Sequence, residues 1–470
     1  MELAKQIYEY IEAFFIAYLI GYSIFLLLSV TVGSITLYEQ KRKQVLYNYI
    51  KHEFYIPISV IVPAHNENIT VIDTILSLLE LQYRLYEIIV VDDGSEDNTS
   101  DCIIEFFKMQ QIRRPICKKI PCKNEEFIYV SYSYKVPITL IRKENGGKSD
   151  ALNMGINASE YPYFVCMDAD SMLQSDSLEN IARPFLEQSD VIACGGLVRI
   201  INDLTIKDGK ILDYKLPKSI LLCMQILEYD RTFLASRLLF DKFNGNLIVS
   251  GAFGLFRKDM VIAVGGYDIN TMGEDMELIV RLHAFARANE LPYRIRYAAN
   301  AVCWSQAPHT LHDLKKQRRR WHIGLFQSIT KHRQMLFNPV YGMLSFISFI
   351  YFLLYELFSP YIELFGLISI LLAMFFNLIN VPFMILFFGI YALFGSIMSL
   401  TAFFSRIHAM NIKLKVGDVF KAISLCVIEN VGLRSIMAFT RLTAFIGYKN
   451  KKLKWGKIKR QKMNRADRQL

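Results

Sequence analysis

Two aspartates separated by one residue, Asp168 and Asp170, follow an apolar segment near the middle of the chain. Alternate residues of an extended segment point to the same side, so both carboxylates can face one point. Carboxylate oxygens are hard ligands of the kind that Mg²⁺ and Mn²⁺ prefer. Two solvated acids in a turn would give the same pattern. The position after a buried strand favours a metal site completed by the phosphate oxygens of a substrate.

Two other apolar segments also end in polar clusters. Residues 63–67 follow the segment 58–62, and Asp92 and Asp93 follow the segment 86–91. Carboxylates here can accept hydrogen bonds from a base or a ribose. The alternative is a pair of ordinary turns that cap the next helices. Three polar strand ends on one edge of a sheet together favour a binding site.

A glycine-rich loop at 143–150 follows a further apolar segment and opens a helix. Gly146 and Gly147 permit close backbone approach, and a helix N-terminus attracts phosphate. Lys148 adds a positive charge. The GxxxxGK spacing of a nucleotide-binding P-loop is absent, and a flexible glycine turn is the alternative interpretation.

The motif Gly273-Glu274-Asp275 precedes an amphipathic segment at 276–285. A carboxylate in this position can deprotonate a sugar hydroxyl as a general base. The simpler alternative is an acid in the first helical turn, stabilised by the helix dipole.

The segment QRRRW at 317–321 precedes a long apolar region. On a helix, Gln317, Arg320 and Trp321 share one face. Arginine can neutralise a diphosphate, and tryptophan can stack on a sugar ring. A basic helix lying on anionic lipid is the alternative.

These motifs need a scaffold that brings them together. The pattern of apolar residues between 50 and 170 predicts such a scaffold. It predicts strands at 58–62, 86–91, 138–141 and 163–167, alternating with helices at 70–81, 103–110 and 149–158. Such alternation is typical of a doubly wound, mostly parallel α/β sheet, which binds ligands beyond the carboxyl ends of its strands. Residues 113–137 break the pattern and are predicted to be a surface insertion.

Apolar segments flank this region. Residues 11–37 predict one membrane span, and Lys41, Arg42 and Lys43 after it predict that its C-terminal end is cytoplasmic. Residues 340–405 carry only two charges and predict three spans, near 340–358, 361–379 and 382–404. Residues 416–448 are either a fourth span or an amphipathic interfacial helix.

The predicted organisation therefore has five parts. They are a transmembrane helix with a basic flank (1–49), an α/β domain (50–310), interfacial helices with QRRRW (311–339), membrane channel helices (340–448) and a basic cytoplasmic tail (449–470).

Composition narrows the class of protein. Of 470 residues, 53% are hydrophobic and 21% are charged, which excludes a disordered chain. Most of the net charge of +10 falls in the tail, which holds ten Lys or Arg and one Asp, so we expect a lipid partner and no nucleic acid. Eight cysteines without a CxxC pair argue against structural zinc and disulfides, and indicate a reduced, cytoplasm-facing domain.

The motifs PAHNE, VVDDGS, GGKSDALN, DAD, SGAFG, GED and QRRRW occur in this order. Together they resemble the membrane-embedded family 2 glycosyltransferases, which include the poly-N-acetylglucosamine, cellulose and hyaluronan synthases. The similarity covers about residues 55–340 and agrees with the apolar segments on both sides. It implies a cytoplasmic α/β domain of the GT-A type with flanking transmembrane α-helices, in a multi-pass protein of the plasma membrane.

The resemblance also implies roles for individual residues. The nucleotide would be held by Ala64, Asn66, Glu67, Asp93, Lys148 and Asp168. Asp170 would bind Mg²⁺ or Mn²⁺, and Asp275 would be the general base. The diphosphate and the acceptor would contact Ser250, Gly251, Glu274, Gln317, Arg320 and Trp321.

The implied activity is inverting, metal-dependent transfer from a UDP-sugar to a growing polysaccharide at the cytoplasmic membrane face, coupled to secretion through a partner subunit. A non-processive transferase acting on a lipid-linked acceptor is the second hypothesis, and a non-enzymatic membrane scaffold is the third. Gly273 stands where many of these synthases have threonine, which leaves the donor sugar and the linkage open.

Overall fold

The computed structural model describes residues 2–49, 54–202, 206–207, 210–211, 216–409, 412 and 414–447. The basic tail predicted at 449–470 lies outside the described residues. The strands are β1 Ile58–Ala64, β2 Tyr86–Asp93, β3 Gln110–Ile112, β4 Glu125–Ser131, β5 Ile138–Lys143, β6 Tyr163–Met167, β7 Ser171–Leu173, β8 Val191–Ile200, β9 Ile206–Lys207, β10 Lys210–Ile211, β11 Phe253–Arg257 and β12 Arg294–Ser305.

The α-helices of the domain are α2 Val71–Leu79, α3 Thr99–Phe106, α4 Lys148–Ala158, α5 Ser177–Glu187, α6 Ile220–Glu228, α7 Ser236–Asp241, α8 Lys258–Ala263, α9 Glu274–Ala288 and α10 Leu311–Lys331. The α-helices of the apolar flanks are α1 Glu2–Tyr49, α11 Ser359–Phe375, α12 Val381–Ala409, α13 Val416–Ile428 and α14 Arg434–Leu442.

One ten-stranded sheet organises the domain, in the order β3-β4-β5-β2-β1-β6-β11-β8-β12-β7. The four strands predicted from the sequence, β5, β2, β1 and β6, are adjacent and parallel. β11 then pairs antiparallel with β6 and with β8. The predicted α/β fold is confirmed, but its parallel character is limited to the four-strand centre and the β8–β12 pair, and the sheet as a whole is mixed.

The predicted surface insertion contributes to this sheet. Within 113–137, β4 pairs antiparallel with β5 and with β3, and so extends one edge. The outer side of β4 is exposed at Glu126 and Phe127. With only the short strand β3 outside it and this mixture of exposed residues, β4 lacks the continuous apolar run of the central strands, so the sequence pattern does not single it out.

The central strands are apolar at nearly every position because both faces of the sheet are covered. Ile58, Val60 and Val62 of β1 belong to one buried cluster. Ile61 of the same strand belongs to the cluster on the other face. Gly155 of α4 lies against β1, where an added Cβ would come within 2.3 Å of the Ile61 side chain. The sheet and its covering helices therefore fix the strand ends at which the polar motifs lie.

The apolar flanks contain fewer spans than the sequence predicts. Among the described residues, two helices have the length and composition to cross a membrane, within 6–43 and at 381–409. The spans predicted at 340–358 and 361–379 form instead a pair of segments, Leu344–Leu357 and Ser359–Phe375, bent by 53°. Pro360 at the start of α11 lies at this break. The pair counts as one further span at most.

Residues 416–442 form α13, a π-helical turn and α14, and they are not among the described helices that are long and apolar enough to cross a membrane. Charged side chains interrupt this stretch, among them Glu429, which is buried and pairs with Arg231 at 3.0 Å. The structure therefore favours the second of the two predictions for this segment, an amphipathic interfacial helix.

A π-helical turn at Tyr229–Ala235 joins the domain to the apolar helices. Asp230 pairs with Arg406 of α12 at 2.8 Å, and Arg231 of the same turn reaches the Glu429 carboxylate. All four side chains are buried, so removing one partner would leave an uncompensated charge. These two ion pairs hold the α/β domain against the apolar helices.

A buried acid also connects α9 to the end of α10. Glu277 is inaccessible to solvent and is contacted by Arg281 and Lys331, each at 2.7 Å, and by His332 at 3.3 Å. Burial alone would raise the pKa of Glu277. The hydrogen bond from His332, the charge of Arg281 and the hydrogen bond from Lys331 outweigh burial and lower the pKa from 4.5 to about 2.

We expect Glu277→Gln to lower the free energy of unfolding at neutral pH by roughly 3 kcal/mol, the value of the pKa difference. Because the folded pKa is the lower one, wild-type Glu277 stabilises the fold above pH 4.5 and loses this contribution as the pH falls towards 2. The difference between the thermal unfolding midpoints of the wild type and Glu277→Gln should therefore become smaller as the pH falls from 4.5 to 3. Glu105→Gln, on an exposed surface, is the control, and a gap that is constant with pH would contradict the assignment.

Candidate active site

The polar segments after β1 and β2 pack against each other at the carboxyl edge of the sheet. Asn66, in the left-handed region with φ 57°, accepts hydrogen bonds through Oδ1 from the Glu96 amide at 2.8 Å and from the Asp97 amide. Glu67 is buried and accepts a hydrogen bond from Thr70 at 2.9 Å. Ala64 ends β1 and is completely buried. These three predicted nucleotide contacts therefore lie together at one strand end.

Asp93 ends β2 and is fully buried. Its carboxylate is 2.6 Å from Lys143 Nζ and accepts hydrogen bonds from the amides of Gly146 at 3.0 Å and Gly147 at 2.7 Å. Gly147 has φ 92°, a conformation that suits glycine. The Asp93 side chain thus holds the glycine loop in place, and a direct contact with a nucleotide stays a prediction.

The glycine loop delivers Lys148 to the first turn of α4. Its Nζ lies 2.5 Å from the Asp168 carboxylate and 3.6 Å from Glu274. Burial alone would lower the pKa of Lys148, but the charges of Asp168 and Glu274 outweigh it and raise the pKa. Lys148 is therefore a stable cation, and it connects the aspartate pair of β6 with the acidic start of α9.

Asp168 and Asp170 follow β6, as the sequence predicts. The Asp168 side chain is 31% exposed, whereas Asp170 is buried and accepts a hydrogen bond from Ser171. No group of three His, Cys, Asp or Glu side chains arranged to hold a metal occurs in the described part of the chain. Two carboxylates supply only oxygen ligands and leave most of a shell open, which fits Mg²⁺ or Mn²⁺ that also binds substrate phosphates.

Asp275 is the second residue of α9, which has Gly273 as its N-cap residue. Its Oδ1 accepts a hydrogen bond from the Met276 amide at 2.9 Å, and its Oδ2 accepts one from the Gly251 amide at 3.2 Å. Gly251 and Ser250 lie in the loop before β11, so this bond joins the SGAFG and GED motifs. Burial and the neighbouring Asp275 charge, only partly offset by Lys148, raise the pKa of Glu274.

The QRRRW motif lies on α10, as its helical spacing predicts. Arg318, a residue inside the motif to which sequence analysis gives no role, is buried and pairs with Glu228 at 2.6 Å. Its guanidinium also lies over the Trp321 ring, 4.6 Å from the ring centre. Arg318 therefore fixes the position of Trp321. Gln317 Oε1 is buried with no hydrogen-bond partner among the described residues, so an incoming donor can satisfy it.

A cavity of about 280 Å³ brings most of the predicted residues together. The predicted side chains that line it are Lys148, Asp168, Ser250, Gly251, Glu274, Asp275, Gln317, Arg320 and Trp321. The other predicted residues, Ala64, Asn66, Glu67, Asp93 and Asp170, are not part of its lining.

The cavity also contains residues that sequence reasoning misses. They include Arg199, Glu228, Tyr229, Phe233 and Arg237 from the domain, and Tyr351, Glu356 and Arg441 from the apolar flank. These residues belong to no motif and are far apart in sequence, so no local signal identifies them. The cavity therefore runs from the acidic start of α9 to the helices beyond the domain.

Comparison with known proteins gives two family matches. Residues 59–265 match glycosyl transferase family 2, and residues 163–404 match glycosyl transferase family group 2.

Three staphylococcal relatives share one name, poly-β-1,6-N-acetyl-D-glucosamine synthase. The first, from Staphylococcus epidermidis, is 32% identical over 312 residues, covering 65% of this chain and 64% of the relative. A second S. epidermidis protein, from strain RP62A, is 30% identical over 72% of this chain and 74% of its own length. The protein of Staphylococcus aureus strain COL is 31% identical, and the alignment covers 66% of this chain and 65% of the relative. The first alignment thus spans just under two thirds of the relative.

A solved structure shares the fold at low sequence identity. The mannosyltransferase PcManGT from Pyrobaculum calidifontis, in complex with GDP-Man and Mn²⁺, aligns with a TM-score of 0.53 and 16% identity. The alignment covers 88% of this chain and 99% of that one. The match at 163–404 alone spans more than half of the 470 residues, and the second relative extends the similarity to 72% of the chain. The chain belongs to the family 2 glycosyltransferases.

Proposed function

We propose that this glycosyltransferase is a polysaccharide synthase that adds sugars from a UDP-sugar to a growing glycan, with inversion at the anomeric carbon. The observation that carries the proposal is the single cavity in which Asp275 lies beside Lys148, Asp168 and the side chains of QRRRW. The names of the three relatives support a polymer of N-acetylglucosamine, and UDP-N-acetylglucosamine is the donor to test first.

Asp275 acts as the general base. Its carboxylate takes the proton of the acceptor hydroxyl while that oxygen bonds to the anomeric carbon. The bond from this carbon to the diphosphate breaks, and its electron pair leaves with UDP. The hydrogen bond from the Gly251 amide at 3.2 Å orients the base, and this contact supports the proposed position of the acceptor beside the SGAFG loop.

The negative charge that develops on the diphosphate needs compensation. Lys148 and Arg320 are cations of the cavity and serve this purpose. Asp168 and Asp170 would hold Mg²⁺ or Mn²⁺, which when bound supplies further positive charge to the leaving group. The nucleotide would lie over the ends of β1 and β2, beside Ala64, Asn66 and Glu67, with Asp93 holding the glycine loop against it.

We further propose an integral, multi-pass membrane protein with its catalytic domain in the cytoplasm. The apolar helices α1 and α12 support this arrangement, as does the basic segment 41–43 near the C-terminal end of α1. Tyr351, Glu356 and Arg441 line the far side of the cavity, so a growing glycan would leave towards the membrane helices. A secretion partner would receive it.

The proposal is tested by measuring UDP release from detergent-purified full-length protein. The donors are UDP-N-acetylglucosamine, UDP-glucose, UDP-glucuronic acid and UDP-galactose, each with Mg²⁺ or Mn²⁺, and the products are sized. Long chains made from one donor are expected. Short or lipid-linked products would replace the proposal with the second hypothesis, and UDP release that is independent of any acceptor product would contradict it.

Asp275→Asn should lower kcat by about 10² to 10⁴-fold, because the amide cannot accept the acceptor proton. Binding of UDP, measured calorimetrically, should stay within twofold, since Asp275 contacts the acceptor rather than the nucleotide. Asp101→Asn, whose side chain is 72% exposed, is the matched control and should keep wild-type kcat. Wild-type turnover by Asp275→Asn would remove Asp275 from the mechanism.

Chelation of divalent ions by EDTA should abolish transfer, and added Mn²⁺ or Mg²⁺ should restore it. Asp170→Asn should raise the metal concentration that gives half-maximal activity at least tenfold, because one anionic ligand is lost. The same metal titration of Asp101→Asn is the control, and its half-maximal metal concentration should match that of the wild type. Full activity in EDTA would show that Lys148 and the arginines suffice without a metal.

A further inference from the structure

The loop before the general base lies against α10 with almost no space between the two backbones. A Cβ built on Gly324 of α10 would lie 2.7 Å from both the N and the Cα of Gly273. A Cβ built on Gly273 would lie 3.0 Å from the Cα of Gly324. Because the opposing atoms are backbone, a methyl group at either position forces the loop and the helix apart.

A second contact, one turn further along α10, fixes the same loop. Gln327 Oε1 accepts hydrogen bonds from the Met272 amide at 2.8 Å and from Thr271 Oγ1 at 3.2 Å. The Thr271 hydroxyl in turn accepts a hydrogen bond from the Gly273 amide at 3.2 Å. Three successive residues, 271–273, are thus tied to α10 immediately before Glu274 and Asp275.

The helix that makes these contacts also carries QRRRW. Arg320 and Gly324 are four residues apart and lie on the same face of α10. Met272, Gly273, Asp275 and Arg320 all line the active-site cavity. The contact between Gly273 and Gly324 therefore sets how far the carboxylate of Asp275 lies from the side chains that hold the diphosphate and the acceptor.

We propose that Gly324 and Gln327 are positioning residues for catalysis, which hold the general base at its working distance from the QRRRW side chains. The inference rests on the proposed role of Asp275. It also offers a reason for glycine in place of threonine in the GED motif, because a Cβ at residue 273 would lie only 3.0 Å from the Gly324 Cα and would push on α10. Misplacing a reacting group by about 1 Å costs on the order of 10²-fold in rate.

Glycine-to-alanine variants give a graded test. Gly324→Ala should lower kcat at least tenfold with the donor KM within twofold, and Gly273→Ala should lower kcat less, in line with the distances of 2.7 and 3.0 Å. Gly417→Ala is the matched control, because Gly417 is a helical glycine with open space around its Cβ position. Equal kcat for Gly324→Ala and Gly417→Ala would overturn the role of Gly324.

Two variants of Gln327 separate positioning from folding. Gln327→Leu removes the acceptor and should lower kcat at least fivefold, whereas Gln327→Glu retains an oxygen acceptor and should recover most of the rate. Both unfolding midpoints should stay close to that of the wild type. Equal rates for the two variants would overturn the proposal. If Gly324→Ala fails to fold, these two Gln327 variants still test the positioning role.

Asp275→Asn is measured in the same series. If it retains turnover, the proposed function of Asp275 fails. If it is inactive while Gly324→Ala and Gln327→Leu keep wild-type kcat, the positioning role alone is wrong.

Discussion

Several acidic side chains lie close together at the carboxyl edge of the sheet. The site depends on the neutralisation of their negative charge by nearby lysines. Lys143 is buried between Asp93 and Asp150, with Nζ 2.6 Å from each carboxylate. Lys148 lies 2.5 Å from Asp168 and 3.6 Å from Glu274. Buried carboxylates are tolerated only when they are paired and hydrogen-bonded. The glycine loop carries both lysines, at its start and at its end, so its conformation decides whether the acids can be assembled at all.

The same principle joins the domain to the helices that follow it. Asp230 and Arg231, neighbours in a π-helical turn, pair with Arg406 and Glu429 of the apolar flank. The turn also contributes Tyr229 and Phe233 to the cavity wall. The cavity wall and the flanking helices are therefore parts of one packed unit, in which a displacement of one would displace the other.

The sequence predicts the chemistry of the site more completely than its surroundings. The four central strands and the placement of Asp168, Lys148 and Asp275 at strand and helix ends follow from local patterns, because a buried parallel strand is apolar throughout and polar residues begin where it stops. Strand β4, which mixes exposed and buried residues, has no such pattern. Composition predicts three separate C-terminal spans, whereas the described residues give α12 and one bent pair, since apolar content does not show that the segments on either side of Pro360 are bent by 53°.

By itself, then, the amino-acid sequence determined the type of each reactive group, the motif in which it lies and the class of fold that collects the motifs at one edge. Only the tertiary structure decided that Asp93 holds a loop, that Arg318 lies over Trp321, and that Gly273 touches Gly324. The physical reason is separation along the chain. Local periodicity reports what one segment buries, whereas these contacts join residues on different elements and appear only when the core has packed.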